Sequence, residues 1–398
     1  MSTTNARLSL GFSCIGHTYS HLFGPIFYVV ALTLEKDLGL THGGVIVLIV
    51  AGNMLFGLAA PLAGWLSDRW SATGMIGVFF IGTGASMVMT GLSDSSTGIA
   101  LWLAATGTFA SIYHPVGFAW LIRNAVNKGA ALGFNGLFGG LGPAVAALSA
   151  GALIDIYGWR AAFIIPGAVV LATGALYWGL IARGLIVETK TDLMPMPSVS
   201  GSDRVRVFVV LAVTMLGTGL IYQATQAAMP KLFSERLADW TGGGVLGVSS
   251  VVAVVYVAGG LMQVVGGRLA DIYPLKTVYL CAFLLQVPFL FLAGSLGGPV
   301  LVVVVLIMVS INTGSTPTEN VLVARYAPAR WRSLAFGLKF VLALGVSGLG
   351  VLLEGTFYDL TGGFYWVFTL LAAIAAVALA IATLLPSEKL HAARAAAG

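Results

Sequence analysis

Two oppositely charged residues stand inside a strongly apolar stretch, and they are the residues of this sequence best suited to chemistry. Glu319 and Lys339 flank a basic turn centred near Ala329, and each lies ten residues from that centre. A helix rises about 1.5 Å per residue, so both side chains would lie up to about 15 Å from the turn. In an antiparallel helical hairpin they would reach the same depth, and we expect them to form an ion pair.

Three roles for this pair are open on sequence grounds. A charge at the centre of a bilayer costs about 2.5–3.5 kcal/mol on insertion scales, so a structural salt bridge that offsets this cost is one interpretation. The second is a switch, in which Lys339 pairs with Glu319 in one state and with an anionic substrate in another. Because burial raises a carboxyl pKa, proton uptake by Glu319 is an accessible way to release the lysine. In the third, Lys339 extends towards cytoplasmic water.

Other polar residues fall at helical spacing on four apolar segments. His17, His21 and Tyr28 share one helix face, and Tyr113 and His114 lie together further along the chain. We predict a substrate-binding set of Lys339, His17, His21, Tyr28, Tyr113, His114, Tyr222, Gln226, Asn312 and Asn320. We assign proton coupling to Glu319, His114 and His21, since an imidazole titrates near pH 6.5. The alternative is that these groups only form hydrogen bonds between helices.

The elements that carry these residues are predicted to be membrane-spanning helices. The chain has 398 residues, of which 58% are hydrophobic and only 9% charged, with a mean hydropathy of +0.96. A soluble domain carries roughly 25% charged residues, so the bilayer is the expected solvent. Windows of about 20 apolar residues predict twelve spans. They lie near 8–33, 43–66, 73–92, 98–121, 129–152, 161–183, 206–229, 243–270, 276–294, 298–324, 333–354 and 362–385.

The basic residues predict the orientation of these spans. The net charge is +5, and with the N-terminus inside most Lys and Arg residues fall in cytoplasmic segments. This bias accounts for the basic composition without a nucleic-acid partner, and it places both termini in the cytoplasm. Cys14 and Cys281 both fall within predicted spans, so no disulfide framework is implied.

Three spaced motifs recur at an offset of about 200 residues and predict a duplicated six-helix unit. They are Gly64 and Asp68 with Gly267 and Asp271, Pro115 and Arg123 with Pro317 and Arg325, and Asp155 and Gly158 with Asp359 and Gly362. We therefore predict an N-terminal bundle over 1–183, a polar cytoplasmic linker over 184–205, and a C-terminal bundle over 206–398. Internal repeats are typical of secondary transporters, whose substrate sites lie between the repeats near the bilayer midplane.

These motifs resemble those of the major facilitator superfamily. "GWLSDRWSA" at 64–72 is similar to the signature of that family between its second and third helices, and "GGRLADIYPLK" at 266–276 is similar to the second copy. The resemblance implies an all-α fold of twelve transmembrane helices in two pseudo-symmetric bundles, with the first, fourth, seventh and tenth helices lining the central cavity. It also implies gating contacts, for which the candidates are Asp68, Arg69, Arg268, Asp271, Arg123 and Arg325. The first copy lacks the trailing basic residues of the family.

A finer resemblance concerns the export branch. "SHLFGP" at 20–25, "GTFASIYHPVG" at 107–117 and "GGLGPAVAA" at 139–147 are similar to fosmidomycin-resistance-type efflux transporters, although Pro25 and Val116 stand where that type has carboxylates. Oxalate and monocarboxylate carriers of the superfamily use a basic residue in the C-terminal half, which by resemblance favours an anionic substrate.

We therefore expect a monomeric inner-membrane transporter that moves a small, anionic organic solute by alternating access. We expect proton coupling and favour export. Proton-coupled uptake of a carboxylate is the main alternative, and a non-transporting membrane receptor is a remote one. No P-loop, metal-ligand spacing or catalytic triad stands out, so we expect neither an enzyme nor a cofactor or metal.

Overall fold

The computed structural model describes residues 3–188, 202–326 and 337–386. These residues form helices and connecting turns, and no strand occurs among them. The helices of the first half are α1 (Thr3–Ser20), α2 (Phe23–Leu38), α3 (His42–Leu58), α4 (Ala60–Arg69), α5 (Ala72–Leu92), α6 (Ser96–Ala110), α7 (Phe118–Asn124), α8 (Lys128–Tyr157) and α9 (Trp159–Ala182). Those of the second half are α10 (Ser202–Arg236), α11 (Val245–Ile272), α12 (Leu275–Ala293), α13 (Gly298–Tyr326), α14 (Leu349–Thr361) and α15 (Tyr365–Ala382).

Nine helical stretches of the described residues are long and apolar enough to cross a membrane. A tenth is formed by α3 and α4 together, which are bent by 43° at their junction. Two further predicted spans are also interrupted. The first is broken between α1 and α2, and the fourth is broken between α6 and α7 by a π-helix at Tyr113–Gly117. The predicted fold class, an all-α membrane protein, is confirmed, and twelve spans are consistent with the helices of the described residues once the interrupted spans are included.

Short polar side chains and glycines set several helix ends. Thr41, Ser71 and Ser95 each accept a hydrogen bond from a backbone N–H of the first turn of α3, α5 or α6. These bonds satisfy donors that have no partner within the helix. Gly39 ends α2 in the left-handed conformation, with φ of 63°, which a residue with a side chain adopts at a cost.

The described residues form two compact units. The first contains residues 3–188 and 226–257, and the second contains 202–225, 258–326 and 337–386. In the first, α5 packs on α9 and α6, and α1 packs on α8. In the second, α12 packs on α15 and α13. These two units are defined by packing contacts. The division predicted from the sequence, into two bundles at 1–183 and 206–398 with a linker at 184–205, stays a prediction.

Glycine pairs bring neighbouring helices into backbone contact in both units. A Cβ added at Gly107 of α6 would lie 2.0 Å from the carbonyl oxygen of Gly52 on α3. A Cβ added at Gly266 of α11 would overlap the carbonyl oxygen of Gly314 on α13. Small residues at such crossings let membrane helices approach closely. The corresponding second and fourth helices of each predicted repeat are thus joined in the same manner.

Several sequence predictions fall outside the described residues. They concern the turn centred near Ala329, most of the predicted linker, and the C-terminal tail.

Candidate functional site

The second unit contains the predicted ion pair. Lys339 Nζ lies 2.7 Å from Glu319 Oε1, and both side chains are almost fully buried. The lysine also donates to Asn320 Oδ1 at 2.6 Å. The second carboxylate oxygen of Glu319 accepts a hydrogen bond of 2.9 Å from the hydroxyl of Tyr279. The pair is therefore part of a four-residue network that joins α12, α13 and the segment before α14.

The local backbone around Lys339 departs from a regular helix. Residues 337–340 are helical, and they are followed by a π-helix at Val341–Gly345 and a 3₁₀-helix at Val346–Gly348 before α14 begins. Such irregular turns inside membrane helices occur frequently at functional sites. On the facing helix, Pro317 lies two residues before Glu319 and cannot donate the usual backbone hydrogen bond.

Sequence reasoning missed Tyr279. It lies on α12, in an apolar run that carries no charged residue between Lys276 and the end of the helix. Its ring belongs to the buried core of the second unit and packs edge-on against Phe283 at 5.0 Å between ring centroids. A tyrosine in such an apolar run is expected to be a core residue, and only the tertiary structure shows that its hydroxyl reaches the Glu319 carboxylate.

The first unit brings three predicted imidazoles into one cluster. His17, His21 and His114 have ring centroids 5.1–5.5 Å apart, and one ring nitrogen from each lies within 4.8 Å of the other two. His17 and His114 are buried, whereas His21 is partly exposed. We refer to these three residues as the histidine cluster.

Breaks in two helices position the histidine cluster. His21 lies in the two-residue gap between α1 and α2, and His114 lies in the π-helix between α6 and α7. On α8, Gly139 and Gly142 leave room for the rings. A Cβ at Gly139 would overlap the His17 ring, and one at Gly142 would lie 3.1 Å from His21 Cβ.

A hydrogen-bond network holds His17 and Tyr113 in place. The Nδ1–H of His17 donates to the carbonyl oxygen of Asn135 at 2.9 Å. The Asn135 amide donates to Tyr113 Oη at 2.8 Å, and that hydroxyl donates to the carbonyl oxygen of Ser13 at 2.6 Å. Tyr113 also stacks on His17 at 5.1 Å between centroids. The hydroxyl of Tyr28 accepts a hydrogen bond of 2.7 Å from the Asn53 amide.

The remaining predicted binding residues occupy separate places. Gln226 accepts a hydrogen bond of 3.3 Å from Tyr256 in the first unit. In the second unit, the Asn312 amide donates to the carbonyl oxygen of Thr218 at 3.4 Å. Tyr222 is half-buried on α10. Their role in substrate binding stays a prediction.

Two of the predicted gating residues form an ion pair. Arg123 Nη2 lies 3.6 Å from Asp68 Oδ1, which joins α7 to α4 within the first unit. Arg69 instead lies over the ring of Trp65 at 4.2 Å. Arg268, Asp271 and Arg325 of the second unit are exposed. Gating by these six residues stays a prediction.

A charged contact that sequence reasoning missed joins α10 to α2. Lys231 Nζ donates to Glu35 Oε2 at 2.5 Å, and His42 Nδ1 lies 2.9 Å from the other carboxylate oxygen. A second contact of this unit involves Asp155 of α8, which accepts hydrogen bonds of 3.0 and 2.9 Å from the backbone N–H groups of Val245 and Leu246, at the start of α11. We call Glu35, His42 and Lys231 the α2 latch. Their separation along the chain left no signal in the sequence.

Burial and the latch contacts act in opposite directions on Glu35. Burial raises the pKa of this carboxyl group, but the hydrogen bonds and charges of His42 and Lys231 together outweigh burial and hold the pKa below its usual range. The carboxylate therefore remains charged at neutral pH, which the contact with Lys231 requires.

The chain is similar to a known protein family and to a resistance protein. A family model described as Major Facilitator Superfamily matches residues 10–255 and residues 207–397. A puromycin resistance protein of Streptomyces alboniger is 26% identical over 153 residues, which is 38% of this chain and 30% of that protein. The chain thus matches less than a third of the length of this relative.

Solved structures with the same fold cover nearly the whole chain. A bacterial homologue of the human lysosomal transporter Spinster, in an inward-facing and occupied conformation, has a TM-score of 0.77 at 14% identity and covers 97% of each chain. A nucleoside transporter has a TM-score of 0.72 at 14% identity, over 96% of this chain and 100% of the other. A transporter of the POT family in complex with 5-aminolevulinic acid has a TM-score of 0.75 at 13% identity, over 94% of each. Identities this low establish the fold alone.

Proposed function

The chain belongs to the major facilitator superfamily, and from this premise we propose that it moves a small organic anion across the inner membrane by alternating access, coupled to protons and in the direction of export. That it is a multi-pass membrane transporter rather than an enzyme follows from the family and the fold. The anionic substrate, the coupling ion, the direction, the inner membrane and the cytoplasmic termini are proposals.

The main observation in favour of an anionic substrate is the burial of Lys339. Its ammonium group lies in a region where an unpaired charge is costly, and it contacts both Glu319 and Asn320. Substrate carboxylate oxygens that approached the same ammonium would replace Glu319 without leaving the lysine unpaired. Glu319 would then lose its counter-ion, and protonation would remove the charge that remains buried.

This exchange is the basis of the proposed coupling to protons. Tyr279 donates to one oxygen of Glu319, and Lys339 contacts the other. Once the lysine has turned to the substrate, one oxygen becomes available for a proton while the other keeps its hydrogen bond. Substrate binding and proton uptake would in this way favour each other, which is the reciprocity that coupled binding requires. Proton and anion would then move together, so export would follow the outward gradient of the anion and carry a proton out with it.

Support for export comes from the relative that confers puromycin resistance. Outward movement of a toxic compound is one way in which a membrane transporter confers resistance. Proton-coupled uptake of a carboxylate is the second candidate, because a buried lysine paired with a carboxylate serves an anion equally well in either direction.

The test is transport by purified protein in proteoliposomes. A thermal-shift screen of small mono- and dicarboxylates first selects a ligand, since ligand binding stabilises the folded state by mass action. Movement of that labelled acid is then followed with and without an imposed pH gradient of either sign. We expect the gradient to drive accumulation of the acid on the alkaline side, as the joint movement of proton and anion requires. Accumulation on the acidic side would instead show exchange of the anion for protons, in which an inward proton gradient drives export. Equal rates with and without the gradient would reject proton coupling.

The role of Lys339 is tested by Lys339→Ala against Lys36→Ala. Lys36 is an exposed lysine near the end of α2, so it serves as the matched control. We expect at least a tenfold loss of carboxylate transport for Lys339→Ala and no change for the control. Full transport by Lys339→Ala would remove the substrate-anchor hypothesis and leave a structural salt bridge.

A further inference from the structure

The histidine cluster has the composition and the geometry of a site for a transition-metal ion. Imidazole nitrogen is a good ligand for Zn²⁺, Cu²⁺ and Ni²⁺ and a poor one for Mg²⁺ and Ca²⁺, which prefer oxygen. His17, His21 and His114 each offer one ring nitrogen, and these three atoms lie within 4.8 Å of one another. Among the described residues, this is the one place where three or more side chains that could bind a metal ion lie together.

The three rings approach the spacing that a bound ion requires. Zinc binds histidine at about 2.0–2.1 Å, so two nitrogens of a tetrahedral site lie about 3.4 Å apart. The three centroid separations of 5.4, 5.5 and 5.1 Å form a nearly equilateral triangle, so the rings surround one point rather than lying in a row. Binding of an ion would draw the three nitrogens from their separations of up to 4.8 Å to this closer spacing.

The surroundings of His17 match those of a metal ligand. Its Nδ1–H donates to the carbonyl oxygen of Asn135, so Nε2 carries no proton and its lone pair is available to a metal ion. A histidine that binds a metal almost always donates its other ring N–H to a carbonyl or carboxylate, because this bond fixes the tautomer and the ring orientation. Stacking against Tyr113 further restricts the ring.

Two features of the backbone are explained by such a site. The helices that carry the cluster are both irregular where the histidines lie, at the break around His21 and at the π-helix that contains His114. On α8, Gly139 leaves space that any side chain would fill, and the ring of His17 occupies it. The partly exposed His21 gives an ion a route to the two buried rings.

We propose that His17, His21 and His114 bind one divalent transition-metal ion, with Zn²⁺ as the type case, independently of the proposed anion site at Lys339. Three neutral imidazoles leave the charge of the ion uncompensated in a largely apolar region. A tetrahedral ion also keeps a fourth coordination position, which a hydroxide or another small anion fills at the lowest electrostatic cost. The site therefore holds the ion together with one anionic or water ligand.

The first test measures metal binding by the full chain, purified without a histidine tag. Equilibrium titration with Zn²⁺ is expected to show one saturable site per chain, and Co²⁺ is expected to give the visible absorption of a tetrahedral site with nitrogen ligands. This spectrum needs no variant, so it decides the proposal even if substitutions prevent folding. Absence of both saturable Zn²⁺ binding and a Co²⁺ spectrum would overturn it.

The second test assigns the ligands. His21→Gln and His114→Gln are each expected to weaken Zn²⁺ binding at least tenfold, and Gly139→Ala is expected to weaken it by displacing His17. His42→Gln is the matched control, because His42 lies in the α2 latch and outside the cluster. Unchanged affinity in the cluster variants, or an equal loss in His42→Gln, would contradict the assignment. Transport of the carboxylate is measured in parallel, so failure of the metal site and failure of the proposed transport remain distinguishable.

Discussion

At the scale of single residues, the Glu319–Lys339 network combines a stability requirement with the proposed chemistry. Both groups are almost fully buried, and their contacts leave each with an opposite charge and one neutral partner. Removing one member of a buried pair leaves an uncompensated charge, which typically costs roughly 3–5 kcal/mol, whereas replacing both members by neutral groups is often close to neutral. Stability and transport therefore report on different properties of the same residues.

The first prediction separates these properties. We expect Lys339→Met to lower the free energy of unfolding by about 3 kcal/mol, and the double variant Lys339→Met with Glu319→Gln to recover most of that loss. Reversible unfolding in detergent micelles measures both. Transport of the selected carboxylate is expected to stay lost in the stable double variant. A double variant that is stable and transports normally would show that neither charge serves transport.

Glu188 carries a second prediction, which concerns pH. Its carboxylate accepts from the Ser71 hydroxyl and from the backbone N–H of Thr73 at 2.9 Å, at the start of α5. Partial burial raises the pKa of this carboxyl group, but these hydrogen bonds outweigh that effect and hold the pKa below its usual range. The contact thus adds stability above the ordinary carboxyl pKa of about 4.3, and this stability is lost as the pH falls through the depressed pKa.

We expect Glu188→Gln to cost about 0.5–1 kcal/mol at pH 7, a value kept low because the side chain is largely exposed. The difference from wild type should shrink as the pH is lowered below 4. Thermal unfolding across that range measures it, with Asp37→Asn, an exposed acid on α2, as the control. A difference that does not depend on pH would contradict the charged cap.

At the scale of elements, the sequence predicted where spans lie better than where they break. Runs of about 20 apolar residues mark the spans because the bilayer imposes that length. The breaks around His21 and at Tyr113–Gly117 depend on which neighbouring helix supplies contacts to the irregular backbone. The three histidines were predicted as site residues, but their meeting in one cluster was not, because His114 meets His17 only through the packing of α1 against the π-helix.

Close helix packing gives the third prediction. A Cβ at Gly107 would lie 2.0 Å from a backbone oxygen of α3, so the two helices would have to separate. We expect Gly107→Ala to lower the free energy of unfolding by about 1–3 kcal/mol or to prevent folding. Gly133→Ala on α8 is the control, since its Cβ meets nothing within 4 Å and a helical alanine gains up to about 1 kcal/mol over glycine. Equal stability of the two variants would show that this crossing tolerates separation.

At the scale of the whole molecule, the predicted duplication has a structural counterpart. A Cβ added at Gly64 would lie 3.5 Å from Pro115 Cβ, and a Cβ added at Gly267 would lie 3.9 Å from Pro317 Cβ. The repeated motifs thus fall at the same helix contact in each half, which is why spacing alone revealed them. The α2 latch has no such repeat. Its residues come from α2, the start of α3 and the end of α10, and nothing in a single sequence relates them.

The fourth prediction concerns the α2 latch as a device of the transport cycle. Glu35 binds Lys231 at 2.5 Å, and the two side chains are mostly buried. If the chain works by alternating access, as proposed, the end of α10 must separate from α2, and the start of α11 must separate from α8, once in each cycle. Neutralising Glu35 removes the charge that opposes this separation and leaves Lys231 with the more distant Glu235, at 3.8 Å.

We therefore expect Glu35→Gln to speed hydrogen exchange at the end of α2 and at the end of α10, and Asp155→Asn to speed it at the start of α11. Because the two contacts hold different helices, the double variant should show both effects together. Lys36→Gln is the control, since it changes an adjacent exposed charge. Exchange rates in Glu35→Gln that equal those of wild type would show that the latch does not limit opening at this end, and the depressed pKa of Glu35 would then reflect local contacts without a role in the cycle.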